Sequence, residues 1–447
     1  MRLRIKTSTE MKIMCNQLIE FFEDKKILIL GFGREGLSTY NYIRTYLPKK
    51  HLGIADAKDV ALQDENVTFH TGKNYMDSIK EGYDLIMKTP GIAFIDVDVP
   101  NGTIVTCQTD LFLRFAPCMK IGITGTKGKT TTSTLIYEVV SAAGKDACLI
   151  GNIGVPVFDV IDSIEGKTAV IEMSSHQLEF TRTSPHIAVL TNIYPEHLDH
   201  YNGFEGYVGA KYNIMKHQTK DDYLIYNPDQ DLTGIIDLDA VKSNKIAVSA
   251  KDGEKDEFLK SLTSLNGRLL GEHSHQDIYF AAKVAEILGI EKSAVKKGIE
   301  NFKGIPHRLE PVGEFRGIKF YNDSIATIPH AVECGVEAIG DVDTLIFGGL
   351  DRGIDYEEFK KYLMSCPVKN LIGMPDTGHS IIDALSLLGC DKKMFKAEDM
   401  EQAVKAAYDM TEKGKSCLLS PAASSYNVYK NFEYKGNHFK ETVKAFA

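Results

Sequence analysis

The sequence contains no C-x-x-C pair, no apolar run of membrane-spanning length, no low-complexity tract and no short internal repeat. Its eight cysteines (Cys15, Cys107, Cys118, Cys148, Cys334, Cys366, Cys390, Cys417) are scattered, as free thiols of a reducing compartment are, which speaks against a disulfide scaffold or a zinc site. Without a 20-residue apolar stretch there is no candidate membrane helix. The basic start Met1-Arg-Leu-Arg-Ile-Lys6 lacks the apolar core of a signal peptide, so a cytoplasmic location is expected, with no membrane insertion. Positive charge is not in excess either: 52 basic against 61 acidic residues leave a net charge of −9. That argues against a nucleic-acid partner and leaves only local basic patches to hold phosphates.

What is present is the composition of a globular chain, 43% hydrophobic and 25% charged, with 447 residues for two to four domains. The stretch Lys120-Ile-Gly-Ile-Thr-Gly-Thr-Lys-Gly-Lys-Thr-Thr-Thr-Ser133 organises it. Ile121 and Ile123 end an apolar run that predicts a buried strand, and Leu135-Ile-Tyr-Glu-Val-Val140 predicts a helix. A strand, a glycine-rich turn and a helix N-terminus form an anion cradle, because backbone N–H groups and the helix dipole favour negative charge. Lys129 is placed to reach terminal phosphates and Thr130 to ligate Mg²⁺. The loop is a variant: the generic pattern has glycine five residues before Gly128, where this chain has Ile123. The competing reading is an ordinary strand-to-helix turn.

Upstream, Lys26-Ile-Leu-Ile-Leu30 predicts a strand running into Gly31-Phe-Gly-Arg-Glu-Gly36, and Asp56 follows the apolar run His51-Leu-Gly-Ile-Ala55. This G-x-G-x-x-G turn with a later acidic residue fits NAD, another nucleoside diphosphate, or no ligand. Tyr83–Ile92 predicts another strand ending in a Pro-Gly turn, and a first domain closes near Phe115-Ala-Pro117. A second alternation follows, with strands at Ala169–Met173, Ile187–Asn192 and Tyr223–Tyr226 and helices near 204–217, 275–288 and 292–301. After the Gly- and Pro-containing linker Gly304-Ile-Pro-His-Arg308 come strands at Gly317–Asn322, Thr344–Gly349, Lys369–Gly373 and Ser416–Ser420. The fold class is therefore α/β: three consecutive α/β domains, with mostly parallel sheets covered on both faces. The expected domains are 1–117, dinucleotide-binding-like (Rossmann-like); 118–305, a central phosphate-loop ATPase domain; and 306–447, again Rossmann-like.

Two further strand ends carry chemistry. Glu172 ends a buried-looking strand, where a carboxylate either holds Mg²⁺ with Thr130 or caps the next helix. His197 lies between Glu196 and Asp199 in a segment dense with titratable groups, and is as readily structural as functional. Lys211, inside a helical segment, is by its local pattern a solvated lysine.

Taken together, Thr124-Gly-Thr-Lys-Gly-Lys-Thr-Thr131, Gly151-Asn-Ile-Gly-Val-Pro156, Glu172-Met-Ser-Ser-His-Gln-Leu178, Thr191-Asn-(x)₃-Glu-His-Leu-Asp-His-Tyr201, Pro306-His-Arg308, Asn322-Asp-Ser324 and Ser420-Pro-Ala-Ala-Ser-Ser425 resemble the Mur ligases. These are the ATP-dependent amino-acid ligases of peptidoglycan precursor synthesis, and the similarity runs from about Lys26 to Phe439. Gly348-Gly-Leu-Asp-Arg-Gly353, the closing Tyr429-Lys-Asn-Phe432 and Gly31–Gly36 resemble the members that add D-glutamate to UDP-N-acetylmuramoyl-L-alanine.

The resemblance implies a role for each matching position. Gly33, Arg34, Glu35, Asp56 and Gly91 would hold the uridine diphosphate, and Asn152, Ser174 and Gln177 the sugar-diphosphate portion. Gly125, Thr126, Lys127, Gly128, Lys129, Thr130 and Thr131 would wrap the ATP phosphates. Thr130 and Glu172 would hold one Mg²⁺, His197 and Lys211 a second, with Lys211 carbamylated. Arg308 and Asp323 would reach ATP across an interdomain cleft, and closure of the third domain would exclude water. Glu196, Thr327, Arg352, Ser425 and Phe432 would receive the amino acid, and Glu196 or His197 is placed, secondarily to binding, to orient or deprotonate the amine. The catalytic set is thus Lys129, Glu172, His197, Lys211 and Asp323, in a protein expected to be a monomer.

Three departures stand out. The segment His273-Ser-His-Gln-Asp277 replaces the family's His-Asn-x-x-Asn, leaving Asp277 to accept from the adenine amino group. In Asp323-Ser-Ile-Ala-Thr-Ile328, Ile325 stands where the family commonly has lysine, which leaves a different amino acid such as L-glutamate, or a non-catalytic nucleotide-sensing relative, as rivals. His176 replaces a family Phe and is expected to pack. An NAD-linked oxidoreductase built on the first glycine turn is a further alternative, but leaves the Lys129 loop unexplained.

Overall fold

The computed structural model describes residues 17–198, 200–230, 232, 234–269, 272–426 and 428–447. Met1–Lys6, Cys15 and Asp199, and the side chain of His273, lie outside the described residues. The chain divides into two compact units, Met1–Asn266 with Glu272–Phe302, and Gly267–Gly271 with Lys303–Ala447.

Two sheets lie in the first unit. The first contains β1 (Ile27–Leu30), β2 (Leu52–Asp56), β3 (Val67–Thr71), β4 (Leu85–Lys88) and β5 (Ile104–Thr106), all parallel, in the order β3-β2-β1-β4-β5. The second contains β6 (Met119–Thr124), β7 (Ala147–Gly151), β8 (Thr168–Glu172), β9 (Ile187–Leu190), β10 (Tyr223–Tyr226) and β11 (Asn244–Ala247), also parallel, in the order β11-β10-β9-β6-β8-β7. The runs Ile-Leu-Ile-Leu in β1 and Ile-Ala-Val-Leu in β9 are buried on both faces, as parallel strands covered by helices require. Each fully buried aliphatic side chain contributes about 1.5–3 kcal/mol.

The winding positions the chemistry. Strand β6 lies between β8 and β9, with Ile123 paired to Glu172 and Thr124 to Leu190. The three segments that follow these strands therefore emerge at one carboxyl edge, where open α/β sheets bind ligands.

The second unit holds a third sheet: β12 (Glu310–Phe315), β13 (Ile318–Asn322), β14 (Val342–Phe347), β15 (Asn370–Gly373), β16 (Lys393–Lys396) and β17 (Ser416–Leu419), in the order β12-β13-β17-β14-β15-β16. Among the described residues only β12 runs antiparallel, in a hairpin with β13. Among the described residues, no helix is long and apolar enough to cross a membrane, and the seven described cysteines form no disulfide.

Candidate active site

The turn after β6 requires its glycines. Gly125 has φ +157°, and a side chain there would collide with Thr191; Gly128, at φ +83°, caps the helix Lys129–Ala142 with Asp277 against it. The loop is laced to the segment after β9: Thr126 N donates to Asn192 O (2.9 Å), Lys127 N to Asn192 Oδ1 (2.8 Å) and Thr191 Oγ1 to Lys127 O (2.6 Å). Lys127 also pairs with Glu196 at 3.0 Å. With Thr130 and Thr131 in the first turn of the helix, the whole expected phosphate-binding run sits on one strand–turn–helix unit.

Two lysines point into this loop. Lys129 Nζ donates to the carbonyl oxygens of Gly125 and Thr126, both at 3.0 Å. Lys211, on the helix Phe204–Lys216, is only 1% exposed, against its solvated local reading, and donates to Gly125 O at 2.7 Å. Burial drives its pKa well down, Lys129 adds to that, and Glu196 and Glu172 oppose it. One turn earlier, Tyr207 places its ring 4.8 Å from Lys211 Nζ and its hydroxyl 2.9 Å from Thr126 Oγ1. Sequence reasoning passed over Tyr207, although an aromatic four residues before a buried lysine shares its helix face.

Glu172, at the end of β8, is 1% exposed; Asn152 Nδ2 donates to its Oε1 at 2.6 Å, while its Oε2 is buried without a hydrogen-bond partner. A buried carboxylate oxygen left open beside a phosphate loop fits a hard cation. Asn152 is thus engaged in fixing Glu172. Ser174 and Gln177 form a capping box on the short helix that follows, and Gln177 Nε2 donates to Glu35 Oε1 at 2.7 Å. Burial raises the Glu35 pKa against that hydrogen bond.

His197 adopts φ +55°. His176 packs as expected, but among histidines, with ring centroids 4.8 Å from His197 and 4.1 Å from His200; burial, then His200 and His197, lower its pKa to about 3. His200 and Lys88 both meet the Glu179 carboxylate, at 3.4 and 2.8 Å. Asp277 is 5% exposed and accepts from Thr132 Oγ1 at 2.8 Å, so it also braces the phosphate-loop helix.

At the first sheet, Gly33 caps the helix Arg34–Tyr46, and Arg34 donates to Gly154 O. Asp56 accepts the backbone N–H groups of Phe32 (2.7 Å) and Lys58 (2.9 Å), fixing the glycine turn. Gly91 is exposed after β4.

In the second unit, Asp323 is 4% exposed and accepts from Ser420 Oγ (2.8 Å) and Leu309 N (3.2 Å). Burial raises its pKa to about 7, against the bonds from Ser420 and Leu309 and the charge of Arg308. Arg308 and Arg352 are exposed, Thr327 half-buried, and Ser425 is 2% exposed with no partner for Oγ. Phe432 opens the helix Phe432–Ala445, with its ring 5.9 Å from that of His307. Ile325 is half-buried, its N–H donating to His307 O at 3.2 Å.

A parallel sheet whose central strand delivers a lysine-bearing glycine turn beside a buried carboxylate defines a phosphate-loop α/β protein. Residues 123–284 match the Mur ligase middle domain, and residues 307–423 match the Mur ligase, glutamate ligase domain. The UDP-N-acetylmuramoylalanine--D-glutamate ligase of Clostridium botulinum (strain Okra / Type B1) is 33% identical over 474 aligned positions, covering 97% of this chain and 100% of that one. The chain belongs to the Mur ligase family. Among solved structures, the UDP-N-acetylmuramate-alanine ligase MurC of Thermotoga maritima superposes with a TM-score of 0.56 at 17% identity, covering 95% of this chain and 100% of that one. The MurF ligase of Thermotoga maritima, in complex with ADP, gives 0.55 at 16% identity, covering 89% and 99%. Both share the fold.

Proposed function

We infer that this protein joins D-glutamate to UDP-N-acetylmuramoyl-L-alanine in peptidoglycan precursor synthesis, driven by ATP. The observation that carries the reading is the meeting of Lys129, Lys211 and the Thr126–Lys127 backbone around the turn after β6. Relatives named for this reaction match nearly the whole chain, and a neighbour of the same fold is complexed with ADP.

A carboxylate is a poor electrophile at neutral pH and must first be activated. A carboxylate oxygen of the acyl substrate attacks the γ-phosphorus of ATP and ADP leaves, giving an acyl phosphate. Lys129 and the N–H groups in the first turn of its helix stabilise the negative charge on the transferring phosphoryl oxygens. The amine of glutamate then attacks the acyl carbon, the tetrahedral intermediate collapses, phosphate leaves and the amine proton is lost. Glu196 and His197 orient the amine. Thr130 and Glu172 would hold one Mg²⁺, and His197 with a carbamylated Lys211 a second, supplying charge neutralisation at the phosphates; the open Oε2 of Glu172 supports the first.

The uridine diphosphate is assigned to Gly33, Arg34, Glu35, Asp56 and Gly91, and the rest of that substrate to Asn152, Ser174 and Gln177. Gln177 bonded to Glu35 supports one continuous substrate surface on the two sheets of the first unit. Arg308, Asp323 and Asp277 are assigned to ATP, and Thr327, Arg352, Ser425 and Phe432 to glutamate. Three separate sheets support a division into domains 1–117, 118–305 and 306–447.

The test is phosphate release with UDP-N-acetylmuramoyl-L-alanine and a panel of amino acids. Release with D-glutamate alone is the expected outcome; selection of L-glutamate would assign a different family member's reaction, and no release would leave a nucleotide-binding relative.

A further inference from the structure

Lys435 lies one turn beyond Phe432 on the helix Phe432–Ala445 and is 2% exposed. Its Nζ donates to the carbonyl oxygen of Gly348 at 2.6 Å. Burial alone lowers its pKa to about 7, with no acidic group offsetting it. A buried ammonium without a carboxylate is costly, and a hydrocarbon of equal volume would fill the same space more favourably. What a hydrocarbon cannot do is fix the direction of a carbonyl group.

Gly348 is the first residue of the loop Gly348–Gly353, which presents Arg352. Its φ is +116°, and a side chain there would collide with the Met374 carbonyl oxygen and with Gly378, so the backbone at this point has little latitude. The same loop is tied to the segment that carries Ser425: Gly348 N donates to Pro421 O and Leu350 N to Ser424 O, each at 2.8 Å. The helix that carries Lys435 is capped by Asn431, which accepts from Tyr434 N at 3.0 Å. At Gly436 it approaches His307, Ser324 and Asn322 so closely that a Cβ would overlap all three. Lys435 therefore stands where the segments of Arg352, Ser425 and Phe432 meet.

We propose that Lys435 is a positioning residue that ties the Gly348–Gly353 loop to the start of the Phe432 helix and so sets the shape of the pocket for the incoming amino acid, an inference resting on the ligase reading above. It does not touch the reacting atoms. Its effect is on amino-acid affinity, through the placing of Arg352 relative to Phe432.

The experiment compares Lys435→Met and Lys435→Arg with wild type by two readouts. The first is KM for D-glutamate against KM for ATP and for the nucleotide substrate. The second is amide hydrogen exchange in residues 349–353, with residues 31–36 as the internal control. Lys435→Met is expected to raise the glutamate KM ~10-fold or more with the ATP KM changed by no more than ~2-fold, and to accelerate exchange in 349–353 only. Lys435→Arg, which keeps a donor, is expected to recover most of both. An unchanged glutamate KM and unchanged exchange in a folded Lys435→Met protein would overturn the proposal. So would equal increases in all three KM values, as general loosening would produce. Should Lys435→Met fail to fold, Lys435→Leu carries the same two readouts. If wild type shows no amino-acid-dependent turnover, the ligase reading falls, and the exchange measurement alone still decides whether Lys435 holds the loop.

Discussion

Lys129 and Lys211 donate to the same oxygen, the carbonyl of Gly125, from 3.0 and 2.7 Å. Burial at 1% exposure makes Lys211 give up its proton more readily, and repulsion from the Lys129 ammonium on the same carbonyl adds to that. A neutral amine reacts with CO₂: an N–C bond forms, a proton leaves, and the product is an anion that relieves the repulsion. Lys211→Ala is expected to lower kcat by a factor of ~10², with partial recovery when short carboxylic acids are added in steady-state assays. Full activity in that variant would remove the carbamate role.

Glu172 presents one oxygen to Asn152 and leaves the other open. Glu172→Gln keeps the shape and removes the charge. The Mg²⁺ concentration for half-maximal rate is expected to rise ~10-fold or more, measured by titrating Mg²⁺ at saturating ATP. An unchanged Mg²⁺ requirement would take Glu172 out of metal binding.

Gly125→Ala places a Cβ against Thr191 at φ +157°. Strain and overpacking together are expected to cost ~2–4 kcal/mol, visible as a lower Tm together with loss of ATP-dependent turnover. A variant with wild-type Tm would show that the turn relaxes freely.

Asp323 carries a pKa raised from 3.8 to about 7 by burial. Between those values the folded protein binds more protons at this site than the unfolded chain does. This group's contribution therefore makes the folded state less stable as pH rises from about 4 to about 7, and levels off above. Asp323→Asn removes that slope. Denaturant unfolding across this range is expected to show the difference in stability between variant and wild type shifting toward the variant as pH increases. A constant difference would mean that Asp323 ionises normally in the folded state.

The sequence made the centre of each sheet legible and its margins illegible. Ile27–Leu30, Ala169–Ile171 and Ile187–Leu190 are unbroken apolar runs because both faces are covered. The strands that escaped sequence reading are β3, β5, β7, β11, β12 and β16, the two edges of every sheet. In Asn244-Lys-Ile-Ala247 and Lys393-Met-Phe-Lys396 the edge position admits lysine, and the hydrophobic signal disappears. The same limit applies at the site. Thr124–Thr131 announces itself, because phosphate binding demands particular residue types at fixed spacing. Lys211 does not, since the carbonyl that receives its ammonium belongs to Gly125, 86 residues earlier in the chain. Lys435 gave no signal at all: its partner is a backbone carbonyl 87 residues away.

The central claim is that an acyl phosphate forms at the loop bearing Lys129. The direct measurement uses UDP-N-acetylmuramoyl-L-alanine labelled with ¹⁸O in its terminal carboxylate, with ATP and D-glutamate, and mass analysis of the phosphate released. One carboxylate oxygen transferred to each phosphate is the predicted result, absent in Lys129→Ala. Turnover that yields unlabelled phosphate would contradict the account.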